Sequence, residues 1–507
     1  MPPIKLLVCS CILFTLSSSL LSFSVSWQSR YVHPQKNGTL SYSADEKGNV
    51  FPDFSLVGYH QSDEPIPDVP VVKTIGPAND TNCLKEVQEA INEVSAMPLD
   101  AKGFRGTLLL KKGTYRINGV LHINCSGVVI RGEGQDRQGT VLIETGKIQQ
   151  PLIVVSGTGG IKEISKSRVK ITDPYVPVGS VRVNVENSSG FRPGDKIILF
   201  RPGTAQWVQD LKMDQIENRG GTKQWQPSEY DIQFERTVTG VMRNTLTIDN
   251  PVVLALESKY GGGEVYRYEF PGRIAEVGIE NLYCESTYSN DTDEQHGWDA
   301  ISFNKIHDAW LRNVTSRYFG FSLISLEYDA RNVTVSGCNC YDAKSVITGS
   351  RRYSFSNNGQ FNLFVNCHAT EGRHDFVTGA KVRGPNVFVN CKAERTHADI
   401  GPHHRWAMGT LYDNIVTDGE INIQDRGNWG SGHGWSGVNQ ILWNCSGKKV
   451  TVQSPWVNGK NYAIGLKGTK VSGRLEGRPD GEWEGQNEAN LEPASLYFAQ
   501  LQARKKR

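Results

Sequence analysis

Hydrophobic and polar positions divide the chain into one helical pattern and many short strand patterns. In LKEVQEAINEV, the apolar residues Leu84, Val87, Ala90, Ile91 and Val94 recur at three- and four-residue steps, which predicts one amphipathic helix. The runs that follow, TLLLKKGTYRI, VLHINCSGVVIRGEG and TVLI, are β-formers broken by glycine and predict strands. Farther along, the pattern copies itself. NLFVNCHATEGRHD (Asn362 to Asp375) returns 24 residues later as NVFVNCKAERTHAD (Asn386 to Asp399), setting Cys367 over Cys391, Arg373 over His397 and Asp375 over Asp399. A strand and its bend recurring at such a period predict the coils of a solenoid. Stacked parallel strands lie about 4.8 Å apart, so residues matched by the repeat become neighbours on one surface.

Looser copies, VGIENLYC, WLRNVTSRYF, ARNVTVSGCNCYD and ILWNCSGKKVTV, place an Asn after an apolar β-former. The Asn positions 281, 313, 332, 366, 390 and 444 are separated by 32, 19, 34, 24 and 54 residues, so the last step holds two coils and the longer steps carry loops. A β-sandwich would alternate without such a period. The expected fold is all-β, a parallel β-helix capped by the helix. Residues 175–255, with VGSVRVNVENSSGFRPGDKIILF and NTLTIDNPVV, break the coil grammar and predict a small inserted β-subdomain. The expected division is a signal segment over 1–26, an extended arm over 27–83, coils over 84–465 and a tail over 466–507.

Composition narrows the setting. The 52 glycines among 507 residues suit many turns, and a net charge of +2 supplies no global field for nucleic acid. The basic RKKR ending at 507 reads as a solvated end. Lys5 precedes an apolar, Ser-rich run from Leu6 to Phe23, and Ser24 and Ser26 are small residues before Trp27, the pattern of a secretory signal. No other stretch is long enough to span a bilayer, so a secreted, extracellular protein without membrane contact is expected. Asn-X-Ser/Thr triplets at Asn37, Asn79, Asn124, Asn187, Asn290, Asn313, Asn332 and Asn444 fit a glycoprotein. Eight cysteines remain once Cys9 and Cys11 leave with the signal, and Cys367 and Cys391 stack so as to permit a disulfide between coils. With no CxxC pair, the residues predict no metal site.

PDFSLVGY, then the helix, then GTLLLKKGTYRINGVLHINCSGVVIRGEG and VGIENL together resemble the right-handed parallel β-helix of the pectate-lyase-like superfamily, over roughly residues 50 to 465. That resemblance implies polysaccharide lyases, polygalacturonase-like hydrolases, epimerases or non-enzymatic adhesins, with a polysaccharide as partner. It also allows calcium between Asp375 and Asp399, with no other cofactor.

Candidate chemistry is concentrated between Arg373 and Trp435, where five of the eleven histidines fall. Eliminative cleavage of a uronate needs a cation to neutralise the carboxylate, a base for the C5 proton and an acid for the leaving oxygen. Arg373 and Arg405 suit the first role; His397, His403 or His404 the second; Tyr412 the third. Trp406 and Trp435 either stack on sugar rings or cover the flank of a coil. Asp375 and Asp399 either form a hydrolase's carboxylate pair or bond turn amides. Gln424-Asp425 and Gly432-His433-Gly434 are partly similar to polygalacturonase motifs, but Arg426 replaces the second Asp. Arg426 and His433 are expected at the substrate. The expected functions are a lyase on an acidic polysaccharide, a catalytically silent matrix or glycan-binding β-helix, or a hydrolase.

Overall fold

The computed structural model describes residues 26–77 and 82–506, so the expected signal up to Val25 and the Asn79 triplet lie outside the described residues. The main body is a parallel β-helix whose 29 strands stack into three sheets joined into one network by long strands that two of them share, such as Ile274–Ser286. The first sheet runs from Val71–Ile75 through Gly106–Leu110 and Val128–Arg131 to Glu482–Glu484. Coils therefore extend past both ends of the expected range of 84–465. The later coils lack the Asn signature because Gly465 and Gly485 take the same left-handed corner, at φ 63° and 57°.

That corner is the repeat's physical basis. Strand register aligns Asn281, Asn313, Gly337, Asn366, Asn390, Asn414 and Asn444 in one column. All seven have φ between 52° and 61°, a region open to Gly and tolerated by Asn. Asn side chains link adjacent coils, Asn313 Nδ2 donating to Asn281 Oδ1 at 3.2 Å and Asn444 Nδ2 to Asn414 Oδ1 at 2.7 Å. Asn332 is not in this column. It stands with Glu276 and Asp308 at another left-handed corner, and replacing it with Gly337 turns the irregular 19-residue step into a 24-residue coil. The long final step does hold two coils, with Asn414 between. Asn332 is buried, and its Nδ2 donates to Gly58 O at 3.3 Å, so its triplet is no glycan site in the folded protein.

The helix forms over Leu84–Ser95 and buries Val87, Ala90, Ile91 and Val94 against the first coils. Among the described residues, no helix is long and apolar enough to cross a membrane. The insertion is antiparallel and wider than 175–255, running from Lys162–Glu163 to Glu264–Glu269. Its first two strands, Lys162–Glu163 and Val169–Lys170, are two residues long, too short to show alternation. The coils close up across it, since Val129 and Ile130 pair directly with Gly278 and Ile279. The tail is also structured. Leu496–Lys505 is a helix, capped by Ser495, and with Phe51, Phe54 and Val57 of the arm it covers the outward side of Val387, Val389 and Leu411. Arg504, expected in solvent, instead donates to Ser55 O at 3.0 Å and Gln61 O at 2.7 Å.

The eight described cysteines are all free. Cys367 Sγ points to Val335 O and Cys391 Sγ to Phe364 O, each toward a carbonyl of the preceding coil, so the expected bridge between them is absent. Seven of the eight are buried and Cys125 is partly exposed. Of these eight, thiol labelling of the native protein should reach only Cys125, and unfolding without reductant should release all eight. A need for reductant would contradict this.

Candidate active site

Tyr353, His374 and His403 flank strands of three successive coils of the third sheet, Phe355–Asn357, Phe376–Thr378 and Asp399–Pro402. Stacking brings them together: ring centroids of His374 and His403 lie 4.0 Å apart, and Tyr353 lies 5.0 Å from His374 and 5.4 Å from His403. His433 joins at 5.3 Å from His403 and 4.2 Å from His404. It comes from the glycine-rich segment NWGSGHGWSG. A Cβ on Gly430, at φ 55°, would fall 2.2 Å from the His433 ring, and one on Gly434, at φ 59°, 2.3 Å from Met213 Sδ. Arg405 holds this loop, donating from Nη2 to Ser431 O at 2.9 Å and from Nε to Gly432 O at 3.1 Å. His374, His403, His433, Asp399 and Arg426 form a buried floor, while Tyr353, Arg373, His404 and Arg405 form a half-buried rim.

Charge defines what this floor can do. Arg426 Nη2 donates to Asp399 Oδ2 in a buried ion pair and to Asn422 Oδ1 at 3.0 Å. Burial pushes the Asp399 carboxyl up, but Arg426 and His374 outweigh that and hold it below the usual range. His374 Nδ1 lies 2.8 Å from Asp399 O, which can only accept, so Nδ1 carries the hydrogen and Nε2 a lone pair. Burial lowers His374 to about 4, and burial together with neighbouring Arg405 and Arg426 lowers His404 to about 4. Burial, His404 and Arg426 lower His433 to about 3, and burial, His374 and Arg426 lower His403 strongly. Four neutral imidazoles therefore sit within a cationic field at neutral pH. Buried His374 Nε2, His403 Nδ1, His433 Nδ1 and Arg373 Nη1 have no hydrogen-bond partner among the described residues. Such a site can accept a proton and hold an anion.

Several expected residues are elsewhere. His397 is on the surface, paired through Nε2 with Glu371 Oε2 at 2.8 Å, because the repeat aligns its backbone with Arg373 while the bend turns its side chain out. Tyr412 is fully buried inside the coils, stacked on Phe388 at 5.3 Å, so it is no acid for a substrate. Trp406 and Trp435 are also fully buried. They dock the insertion, Trp406 meeting Trp207 at 5.1 Å, which makes the flank-covering alternative the correct one. Asp375 and Asp399 are aligned by register but do not face one another: Asp375 accepts from Ser354 Oγ at 2.7 Å, while Asp399 holds Arg426. Arg426 is committed to that pair and Arg405 to the glycine loop. Tyr353 was missed because nothing marks RRYSF as a coil; only its place before a strand paired to Phe376 reveals it. Burial raises the Tyr353 phenol, and nearby Arg373 opposes that rise.

Calcium does not fit. It needs convergent oxygen ligands, and the two aspartates diverge. One ligand atom each from His374, Asp399 and His403 lie within 4.8 Å of one another, a nitrogen-rich set suited to a transition metal. The Arg426 charge that lowers His403 also opposes a second cation there.

Asp375 supplies a pH test. Burial raises its carboxyl to about 7. The folded value lies above the unfolded one, so its stabilising contribution is complete below about pH 4 and is lost as pH rises through about 7. Asp375→Asn should remove about 2 kcal/mol of the stability that the natural chain loses between pH 5 and 8, read from denaturant unfolding at both pH values. Equal slopes would contradict this.

No protein-family model matches the chain, and no curated protein matches it. Among solved structures it is similar to the tailspike protein gp49 of Pseudomonas phage LKA1, at 13% identity and TM-score 0.44, over 76% of this chain and 56% of the tailspike. This chain thus matches little more than half of that tailspike. It is also similar to a polygalacturonase from Erwinia carotovora, at 11% identity and TM-score 0.32, over 84% of this chain and 98% of that one. An iota-carrageenase complexed to iota-carrageenan fragments matches at 12% identity and TM-score 0.30, over 74% of this chain and 58% of that one.

Proposed function

We propose that the protein is a secreted lyase that cleaves a uronate-containing polysaccharide by β-elimination at the histidine cluster. The observation that carries this reading is that the neutral His403 ring and the Arg373 guanidinium each keep a buried polar atom, Nδ1 and Nη1, with no hydrogen-bond partner among the described residues, while both nearby aspartates are committed elsewhere. A hydrolase needs two carboxylates flanking the scissile bond, one protonated, and this floor offers only Asp399 in an ion pair. Elimination needs what is present. Arg373 binds the uronate carboxylate and stabilises the charge that develops on it as the C5 proton leaves. His403 takes that proton, the C4–C5 double bond forms, the C4–O bond breaks, and the Tyr353 phenol protonates the departing oxygen. Burial is the main cause that depresses His403, and the substrate carboxylate cancels part of the cationic field that adds to it, making His403 a stronger base than that field alone would leave it.

A panel of uronic-acid polymers and one neutral glucan tests the reading. The expected result is ultraviolet absorbance from the conjugated, unsaturated uronate with at least one acidic polymer and none with the glucan. Binding without cleavage across the panel would favour a silent glycan-binding protein instead.

A further inference from the structure

A cavity of about 750 Å³ lies between the insertion, the amino-terminal arm and the first sheet, and none of the residues of the His374–His403 cluster lines it. Its floor is built on Glu235, which is fully buried and faces two guanidiniums. Arg273 binds it through both terminal nitrogens, Nη1 to Oε2 at 2.5 Å and Nη2 to Oε1 at 2.9 Å, and Arg331 Nη1 binds Oε2 at 3.0 Å. The Tyr268 hydroxyl and Gln360 Nε2, the latter at 2.8 Å, complete the shell. Within this shell, one carboxylate faces two guanidiniums. Both arginines are nearly buried, at 6% and 9% side-chain exposure, and line the cavity. Lys196 adds another cation on the wall: its Nζ meets Thr237 Oγ1 at 3.1 Å and forms no ion pair with a carboxylate among the described residues.

The mouth carries the opposite chemistry. Glu64 and Glu269 are exposed there, and Asp308 is bound to His307 at 2.7 Å. A cationic floor below an acidic mouth rejects a long, densely charged polyanion and favours a short ligand with few anionic groups and many hydroxyls, since sugar hydroxyls donate well to carboxylates. The volume lies in the ordinary range for a small-molecule site.

We propose that this cavity is a second saccharide site, which takes the carboxylate of a short acidic saccharide on Arg331 and Lys196 and its hydroxyls at Glu64 and Glu269. The insertion then has a function of its own, since Lys196, Thr237 and Tyr268 belong to it and the coils alone would leave Glu235's arginines open to solvent. The site stands whether or not the histidine cluster is catalytic.

Calorimetry of the full chain with digalacturonate, inorganic sulfate and lactose tests the proposal. Lys196 is exposed, so Lys196→Glu should keep the unfolding temperature of the natural chain. Digalacturonate binding at this site should weaken about ten-fold or more in Lys196→Glu and persist in His403→Ala, with lactose not binding. Loss of binding in His403→Ala with full retention in Lys196→Glu would overturn the proposal, as would absence of digalacturonate binding altogether. Equal affinity for sulfate and digalacturonate would overturn the saccharide assignment.

Discussion

His403→Ala should lower the rate of polymer cleavage by about 10²–10⁴-fold, the range for removing a positioned proton acceptor. Its effect on stability should be much smaller, because His403 Nδ1 bonds to nothing among the described residues and the ring's loss removes packing alone. His397→Ala should leave the rate near that of the natural chain, since His397 is paired with Glu371 at the surface. The contrast matters because the repeat aligns His397, not His403, with Arg373. A large rate loss in His397→Ala with none in His403→Ala would place the base on the other side of the coil.

Arg426→Met should lower folding stability by about 3–5 kcal/mol at neutral pH, the usual cost of removing one partner of a buried pair. Asp399 would then be a buried carboxylate with no counter-charge, where the natural chain holds it below the ordinary range. The sign with pH follows. Asp399 contributes stability above its unfolded value and loses it as pH falls through the depressed folded value, so in Arg426→Met the deficit should shrink as acid protonates Asp399. Unfolding by denaturant at neutral pH and at pH near 4 reads both parts. A deficit that grows toward acid would contradict the assignment of the Asp399 charge.

The fold was legible because its corners are chemical. A left-handed turn between two strands admits Asn or Gly, and the chain supplies one or the other at every coil from Asn281 to Gly485. The count slipped at Asn332, where a neighbouring corner also holds an Asn, and it missed the later coils, where Gly465 and Gly485 carry no side chain to see. The site was legible as a region but not as a set of roles. Neighbourhood in sequence gathers Arg373, His403, His404 and His433, which the fold also brings near one another, yet it cannot tell which aromatic rings face outward. Trp406 and Trp435 have the composition of sugar platforms, and they are buried because a loop some 200 residues earlier, carrying Trp207 and Trp225, returns to cover them. Tyr353, the ring beside the histidines, has no repeat partner of its own type and emerges only from strand register.

The central claim is that this cluster cleaves by elimination. The most direct measurement counts unsaturated uronate ends against new reducing ends as the same polymer is digested. Elimination predicts one unsaturated end for each new reducing end, with both lost together in His403→Ala. New reducing ends without unsaturated ones would show hydrolysis and contradict the account.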